Sequence, residues 1–189
     1  IRELYVSSLR GVFGIGRGGR AKVAPFTIAI LAMLPALVQV GFDVLFAQAF
    51  GDEGGPDGLF ESPIGYATYL SLCLTLLILF CAAQAPELVG RDQRHRVLVL
   101  YFSRALQRAD YVLAKVAALA TALVLVYGVP LLVLFIGGVL VARDVPAAFL
   151  DNLPEVAPAM VVAPIVALVL GGLSLAVAAM TPRRAYATA

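Results

Sequence analysis

Four long runs without a charged residue constrain this chain more than any other feature. The runs cover residues 23–42, 62–86, 116–142 and 156–182, and charged residues bound each of them. About twenty apolar residues are enough for a helix to cross the hydrocarbon core of a bilayer. Because a backbone in that core finds no water to bond with, each run is expected to be helical. The sequence therefore predicts an all-α, polytopic helical bundle with four transmembrane helices.

Composition agrees with a membrane environment. Hydrophobic residues make up 61% of the chain and charged residues only 14%, whereas soluble domains are about half apolar and about a quarter charged. The mean hydropathy is +0.94. We expect residues 1–189 to form a single transmembrane domain. Since the chain opens at Ile1 rather than at a methionine, we also expect it to be a segment of a longer protein.

Prolines interrupt three of the runs. Pro35, Pro130 and Pro164 lie inside them and are expected to kink the helices, because proline has no N–H to donate and clashes with the preceding turn. Pro130 leaves a second possibility open, in which the third run divides into two short re-entrant pieces.

Charge is distributed unevenly between the connections. All but one of the 14 basic residues fall within residues 1–22, 87–115 and 183–189, and the exception is Arg143. Most of the acidic residues fall in the two remaining connections. Basic connections stay on the cytoplasmic side of a membrane. The pattern predicts a multi-pass membrane protein with a cytoplasmic N-terminus and a cytoplasmic segment 87–115.

The first nineteen residues read IRELYVSSLRGVFGIGRGG and predict a short interfacial helix that ends at a glycine cluster. The glycines do not form a phosphate-binding loop. Gly11 and Gly16 are followed by Arg17 and Gly18, where such a loop has Lys and Ser or Thr.

Residues 87–115 read ELVGRDQRHRVLVLYFSRALQRADYVLAK. If residues 91–108 are helical, one face is apolar and carries Val97, Leu98, Tyr101, Phe102 and Ala105. Such a helix can lie on a membrane surface or dock against a partner. The alternative is a loop whose charges only set the topology.

The runs carry few groups that could perform chemistry. Their mild polar residues are candidates for a translocation path or for polar contacts between helices; these are Gln39, Ser71, Thr75 and Gln84. The runs hold no carboxylate, Lys or His of the kind that ion-coupled carriers use. His95 is the one histidine and has no partner in the sequence for a metal site or a catalytic triad. We expect no enzyme activity and no bound cofactor or metal.

With these residues laid out, the chain resembles the permease subunit of bacterial, especially actinobacterial, type-2 ABC exporters. The resemblance covers most of the chain and is strongest in segment 87–115. In that family the segment carries, in this order, acidic residues, a Leu-rich stretch, a Ser-Arg pair, an Arg, a Tyr and a Lys. The corresponding positions here are Glu87 and Asp92 for the acidic residues, 97–100 for the Leu-rich stretch, and then Ser103, Arg104, Arg108, Tyr111 and Lys115. Ala105 and Ala114 depart from the family's usual Pro and Gly.

The resemblance implies a function for segment 87–115. In that family this segment is the coupling helix, which docks in a groove of a separate ATPase subunit. The residues expected to make that contact are Glu87, Asp92, Arg94, Leu98, Ser103, Arg104, Arg108 and Tyr111. Family members have six spans and an N-terminal elbow helix. They work as a pair of identical or homologous permeases with two ATPases, which bind ATP and Mg²⁺.

A second class of function stays open at this point. The chain could be a membrane anchor or assembly factor that recruits a cytoplasmic partner through the same segment without transporting anything. Membrane lipids are expected partners of the basic residues in either case, and nucleic acid is not.

Overall fold

The computed structural model describes residues 2–16, 18–50, 65–94, 107–142 and 144–180, and this part of the chain contains helices and no strand. A short helix comes first and four long helices follow; in chain order they are α1 (Arg2–Val12), α2 (Gly19–Phe50), α3 (Tyr66–Arg94), α4 (Arg108–Val141) and α5 (Val145–Met180). The four long helices are all long and apolar enough to cross a membrane. The prediction of a helical, multi-pass membrane protein is confirmed to that extent.

The long helices extend beyond the uncharged runs. Helix α2 continues through Asp43 to Phe50, and α3 continues through Glu87 to Arg94. Helix α5 begins at Val145, so it includes most of the acidic connection that precedes the fourth run. Each residue added to the end of a helix adds one backbone hydrogen bond. A single charged residue at that position therefore does not end the helix. Each of the four long helices is therefore longer than the run that predicted it, although α3 begins four residues later than its run.

Proline does not divide the third span. Helix α4 runs without a break through Pro130, whose side chain is fully buried. The re-entrant alternative is wrong. Packing on every side of a buried helix can outweigh the loss of one backbone hydrogen bond, which explains why proline is tolerated in membrane helices.

Helix α4 lies at the centre of the bundle and contacts each of the other described helices. One row of its side chains is fully buried, with residues four apart, and includes Leu119, Leu123, Tyr127 and Leu131. In lipid there is little hydrophobic drive to bring helices together, so close packing and polar contacts must hold such a bundle.

Small residues allow α5 to approach α4 closely. Five buried positions of α5 are spaced four residues apart, and the first four of them are small: Ala159, Ala163, Ala167, Gly171 and Leu175. A Cβ atom at Gly171 would lie 3.7 Å from the Ala120 backbone nitrogen of α4. Gly137 also makes a close contact between helices, whereas a Cβ atom at Gly138 or Gly172 would have nothing within 4 Å.

Helix α1 packs against the first half of α4. Its buried residues are Leu4, Ser8 and Val12, and the Tyr5 hydroxyl donates a hydrogen bond of 3.0 Å to Thr121 Oγ1. A turn that contains Gly14 and Gly16 then leads into α2. The predicted N-terminal helix exists and is joined to the bundle, and its position at a membrane surface stays a prediction.

Segment 87–115 is described only at its two ends. Its first residues complete α3, which ends at Arg94, and its last residues begin α4 at Arg108. The middle of the segment, including Leu98, Ser103 and Arg104, lies outside the described residues. The coupling helix stays a prediction.

Candidate functional site

The candidate site is the corner of the bundle where α1, the end of α3 and the start of α4 meet. Helix α4 begins with a hydrogen bond of 3.4 Å from the Gln107 N–H to Asp110 Oδ2, a carboxylate in its first turn. A carboxylate there satisfies a free N–H group and interacts favourably with the helix dipole.

Lys115 is the centre of the corner. The residue is only 8% exposed, and its Nζ donates a hydrogen bond of 3.3 Å to the carbonyl oxygen of Leu88 in α3. The ammonium group also lies 5.5 Å from the centroid of the Tyr111 ring, one turn earlier in the same helix. A buried charge is costly unless it is bonded, and a carbonyl oxygen together with an aromatic face offsets part of that cost. Lys115 therefore joins the last turns of α3 to the first turns of α4.

Apolar contacts surround this link. Leu4 of α1, Tyr111 and Ala114 form one small buried cluster, and Tyr5 packs against it. Leu88 itself is buried in the main core. These contacts join α1, the last turns of α3 and the first turns of α4.

The structure describes the positions of part of the predicted coupling set. Tyr111 is buried in the corner, whereas Glu87, one residue before Leu88, is exposed. Asp92 and Arg94 lie in the last turn of α3, and Arg108 is the first residue of α4. Lys115 was not among the residues expected to contact an ATPase. Its position one helical turn after Tyr111 is the signal in the sequence that could have identified it.

The four mild polar residues divide into two pairs. Gln39 and Gln84 are buried at 3% and 4% exposure, while Ser71 and Thr75 lie on the exposed surface of α3. The Gln39 amide donates a hydrogen bond of 2.9 Å from Nε2 to Asp43 Oδ1. Asp43 lies within the apolar stretch Ala21–Ala49. The spans were expected to hold no carboxylate. Asp43 departs from that expectation, because α2 continues past the end of its uncharged run.

Within the described residues, no group of three or more His, Cys, Asp or Glu side chains could hold a metal ion. A groove of about 390 Å³ lies between α3 and α5. Its walls are almost entirely apolar and include Ile78, Cys81, Pro86, Leu173, Ser174 and Val177.

In comparisons with protein-family models, curated proteins and solved structures, nothing matched this chain, so its function must be argued from its own residues.

Proposed function

We propose that this chain is a permease subunit of a bacterial, ATP-driven type-2 ABC exporter. It resides in the cytoplasmic membrane with its N-terminus and segment 87–115 inside the cell. It forms the translocation path with a second, identical or homologous permease, and two partner ATPases bind and hydrolyse ATP. The observation that carries the proposal is the hydrogen bond from Lys115 to the carbonyl oxygen of Leu88.

The reason is mechanical. An ATPase that moves residues between α3 and α4 can act on the membrane part only if both helices move with that segment. Two features would make the connection to segment 87–115 rigid. They are the hydrogen bond from Lys115 to Leu88 and the buried cluster of Leu4, Tyr111 and Ala114. Helix α4 then contacts each of the other described helices, so a displacement of its first turns reaches all of them.

The apolar groove between α3 and α5 supports a hydrophobic or amphiphilic cargo. Its volume of about 390 Å³ falls within the range of about 300–1,000 Å³ that small-molecule sites occupy. A small ion would need polar groups in place of its hydration shell, and this groove offers almost none. The path itself would lie between the two permeases.

Copurification with an ATPase tests the proposal. An open reading frame beside this one should encode a protein with GxxxxGK[ST] and an ABC signature, and the two proteins should copurify. Reversing the charge at both Arg104 and Arg108, by substitution with Glu, should abolish copurification and export while leaving membrane insertion intact. The matched control reverses Arg2 and Arg10, two exposed basic residues on α1, and should retain both properties.

Wild-type export and copurification in the Arg104→Glu, Arg108→Glu variant would contradict the coupling assignment. A tag at Arg94 or Arg104 that reacts with a reagent confined to the outside of the cell would contradict the topology. Copurification of an ATPase whose turnover never responds to this chain would favour the anchor function.

A further inference from the structure

One row of side chains runs along the outer surface of α3, and its first half is polar. Its members are alternately three and four residues apart, so they share one face of the helix. Every member is exposed, and in chain order they are Thr68, Ser71, Thr75, Ile78 and Ala82. In the described parts of the other three candidate spans, Thr27 is the only exposed Ser or Thr. The hydroxyl row, defined as Thr68, Ser71 and Thr75, therefore distinguishes α3 from the other spans.

The same face of α3 continues from the hydroxyl row into the apolar groove between α3 and α5. Ile78 and Ala82 are the next two members of the row, and both line that groove. The groove extends along residues 78–86 of α3 and 170–178 of α5, about 12 Å on each helix at 1.5 Å rise per residue. It is open to the surroundings, because Ile78 and Leu173 on its walls are 54% and 61% exposed. A polar surface and an apolar groove thus follow each other along one helix.

The groove suits an alkyl chain and offers nothing to a polar group. Its walls are almost entirely apolar. The hydroxyl of Ser174, which lies in the wall, donates to the carbonyl oxygens of Leu170 and Gly171 within its own helix. An alkyl chain in the groove would have protein atoms on both sides, and dispersion contacts of this kind are small singly and large in sum.

The hydroxyl row suits an uncharged polar group that can donate hydrogen bonds. A Ser or Thr hydroxyl that donates to a carbonyl of its own helix still has lone pairs with which it can accept from a ligand. The row contains no acidic and no basic residue, and a charge without an opposite partner is costly to place inside a membrane. A sugar or another polyol has hydroxyl donors and no charge, so its chemistry fits this surface.

We propose that the groove and the hydroxyl row form one binding site for an amphiphile with an alkyl chain and an uncharged, hydroxyl-rich polar group. The alkyl chain lies in the groove, and the polar group lies on Thr68, Ser71 and Thr75. This assignment rests on the proposed export function and names the class of cargo. In the predicted topology α3 begins on the outer side of the membrane, so the bound polar group is directed outward. That is the orientation of an exported amphiphile whose polar group has already crossed.

Quenching of a single tryptophan tests the site, because the chain has no Trp of its own. Leu173→Trp places a reporter in the groove wall. The matched control, Leu168→Trp, places it at an exposed position of α5 outside the groove walls. Each variant is studied in phosphatidylcholine nanodiscs without an ATPase, and an alkyl glucoside with a brominated chain is added. Emission of the Leu173→Trp protein should fall saturably at a low mole fraction of the glucoside, whereas the control should respond only in proportion to the amount added.

Further substitutions in the Leu173→Trp protein separate the alkyl chain from the polar group. Ala82→Phe fills the groove from an exposed position and should abolish saturable quenching. Ala117→Phe, at an exposed position of α4, is its control and should retain it. Ser71→Ala combined with Thr75→Val should weaken binding of the glucoside by about fivefold, as expected for the loss of two polar contacts in a membrane.

Competition identifies the polar group. An unbrominated alkyl glucoside should displace the probe, and an alkyl sulfate with the same chain should do so at least about fivefold less well. Equal displacement by the two compounds, or unchanged affinity in the Ser71→Ala, Thr75→Val protein, would contradict the assignment of the hydroxyl row. Equal quenching of the two reporters would mean that the glucoside only partitions into the bilayer, and the proposed site would be wrong.

Failure of this inference can be told apart from failure of the proposed function. The quenching measurement needs no ATPase. Loss of saturable quenching while an ATPase still copurifies would overturn the amphiphile site and leave the exporter proposal standing. Saturable quenching in a chain that copurifies with no ATPase would support the site and contradict the exporter.

Discussion

The Tyr69 hydroxyl donates a hydrogen bond of 3.2 Å to the carbonyl oxygen of Ala32, linking α3 to α2 inside the bundle. Ala32 lies in the turn before Pro35. A polar contact of this kind between helices helps to hold a bundle together in lipid, where the hydrophobic drive between helices is small. The ring of Tyr69 also stacks on that of Tyr127, with centroids 5.7 Å apart.

Tyr69→Phe should destabilise the bundle by about 0.6 kcal/mol, the average for a polar contact between membrane helices. The control is Tyr127→Phe, since the Tyr127 hydroxyl is buried and has no hydrogen-bond partner among the described residues. Its removal should be neutral or slightly stabilising, because an unsatisfied group is lost. Unfolding of both variants in mixed micelles measures the difference, and equal destabilisation would show that the bond to Ala32 contributes nothing.

Gly137→Ala should be destabilising because a Cβ atom there would lie 2.7 Å from Val40 Cγ1, and closer still to Cγ2. Overpacking of this kind typically costs about 1–3 kcal/mol. Gly138→Ala is the control, since nothing lies within 4 Å of its position, and it should have no measurable cost. Adding Val40→Ala to Gly137→Ala should restore stability. A double variant no better than Gly137→Ala would exclude this contact as the cause.

The bond between Tyr5 and Thr121 predicts that α1 and α4 are energetically coupled. A double-mutant cycle with Tyr5→Phe and Thr121→Val should give a coupling free energy of about 0.5 kcal/mol or more, as expected for residues in direct contact. Thr121 Oγ1 also donates to the carbonyl oxygen of Ala117 at 2.8 Å, so the single Thr121 variant includes a second effect that the cycle removes. Strict additivity would mean that α1 is not docked on α4 in the membrane.

Gly14 should tolerate substitution less well than Gly16. Both have positive φ, 64° and 84°, which costs an L-residue about 1–2 kcal/mol. A Cβ atom at Gly14 would in addition lie 2.7 Å from the carbonyl oxygen of Ala21, whereas Gly16 has open space. Gly14→Ala should therefore loosen α1 and expose it to proteolysis, and Gly16→Ala should do so less. Equal sensitivity of the two variants would contradict the tight turn.

Lys115→Met separates the two functions considered for this chain. Met keeps an apolar stem in the buried corner but cannot donate to Leu88. If segment 87–115 transmits force, the variant should still bind its ATPase partner while export and stimulation of ATP turnover fall several-fold. Lys115→Arg, which keeps the charge and the donor, should retain more activity. Unchanged turnover and export in Lys115→Met would favour the anchor function.

Local properties of the sequence predicted the number and type of the long helices correctly. Each span could be predicted because the hydrophobicity of about twenty consecutive residues depends on that segment alone. The ends of the helices were predicted less accurately. Asp43 and Glu87 bound uncharged runs, yet α2 and α3 continue past them, because polar groups near a helix end can reach a partner or solvent.

Hydropathy and charge along the chain were enough to predict the four long apolar helices of the described residues and the alternation of acidic and basic connections between them. Tertiary structure decided which residues meet: Lys115 with Leu88, Tyr5 with Thr121, and Tyr66 with Asn152 across 86 positions. The physical reason is that a helix apolar on all sides carries no periodic signal for its buried face. Small residues and single polar contacts between distant segments select that face, and those contacts exist only once the helices have packed.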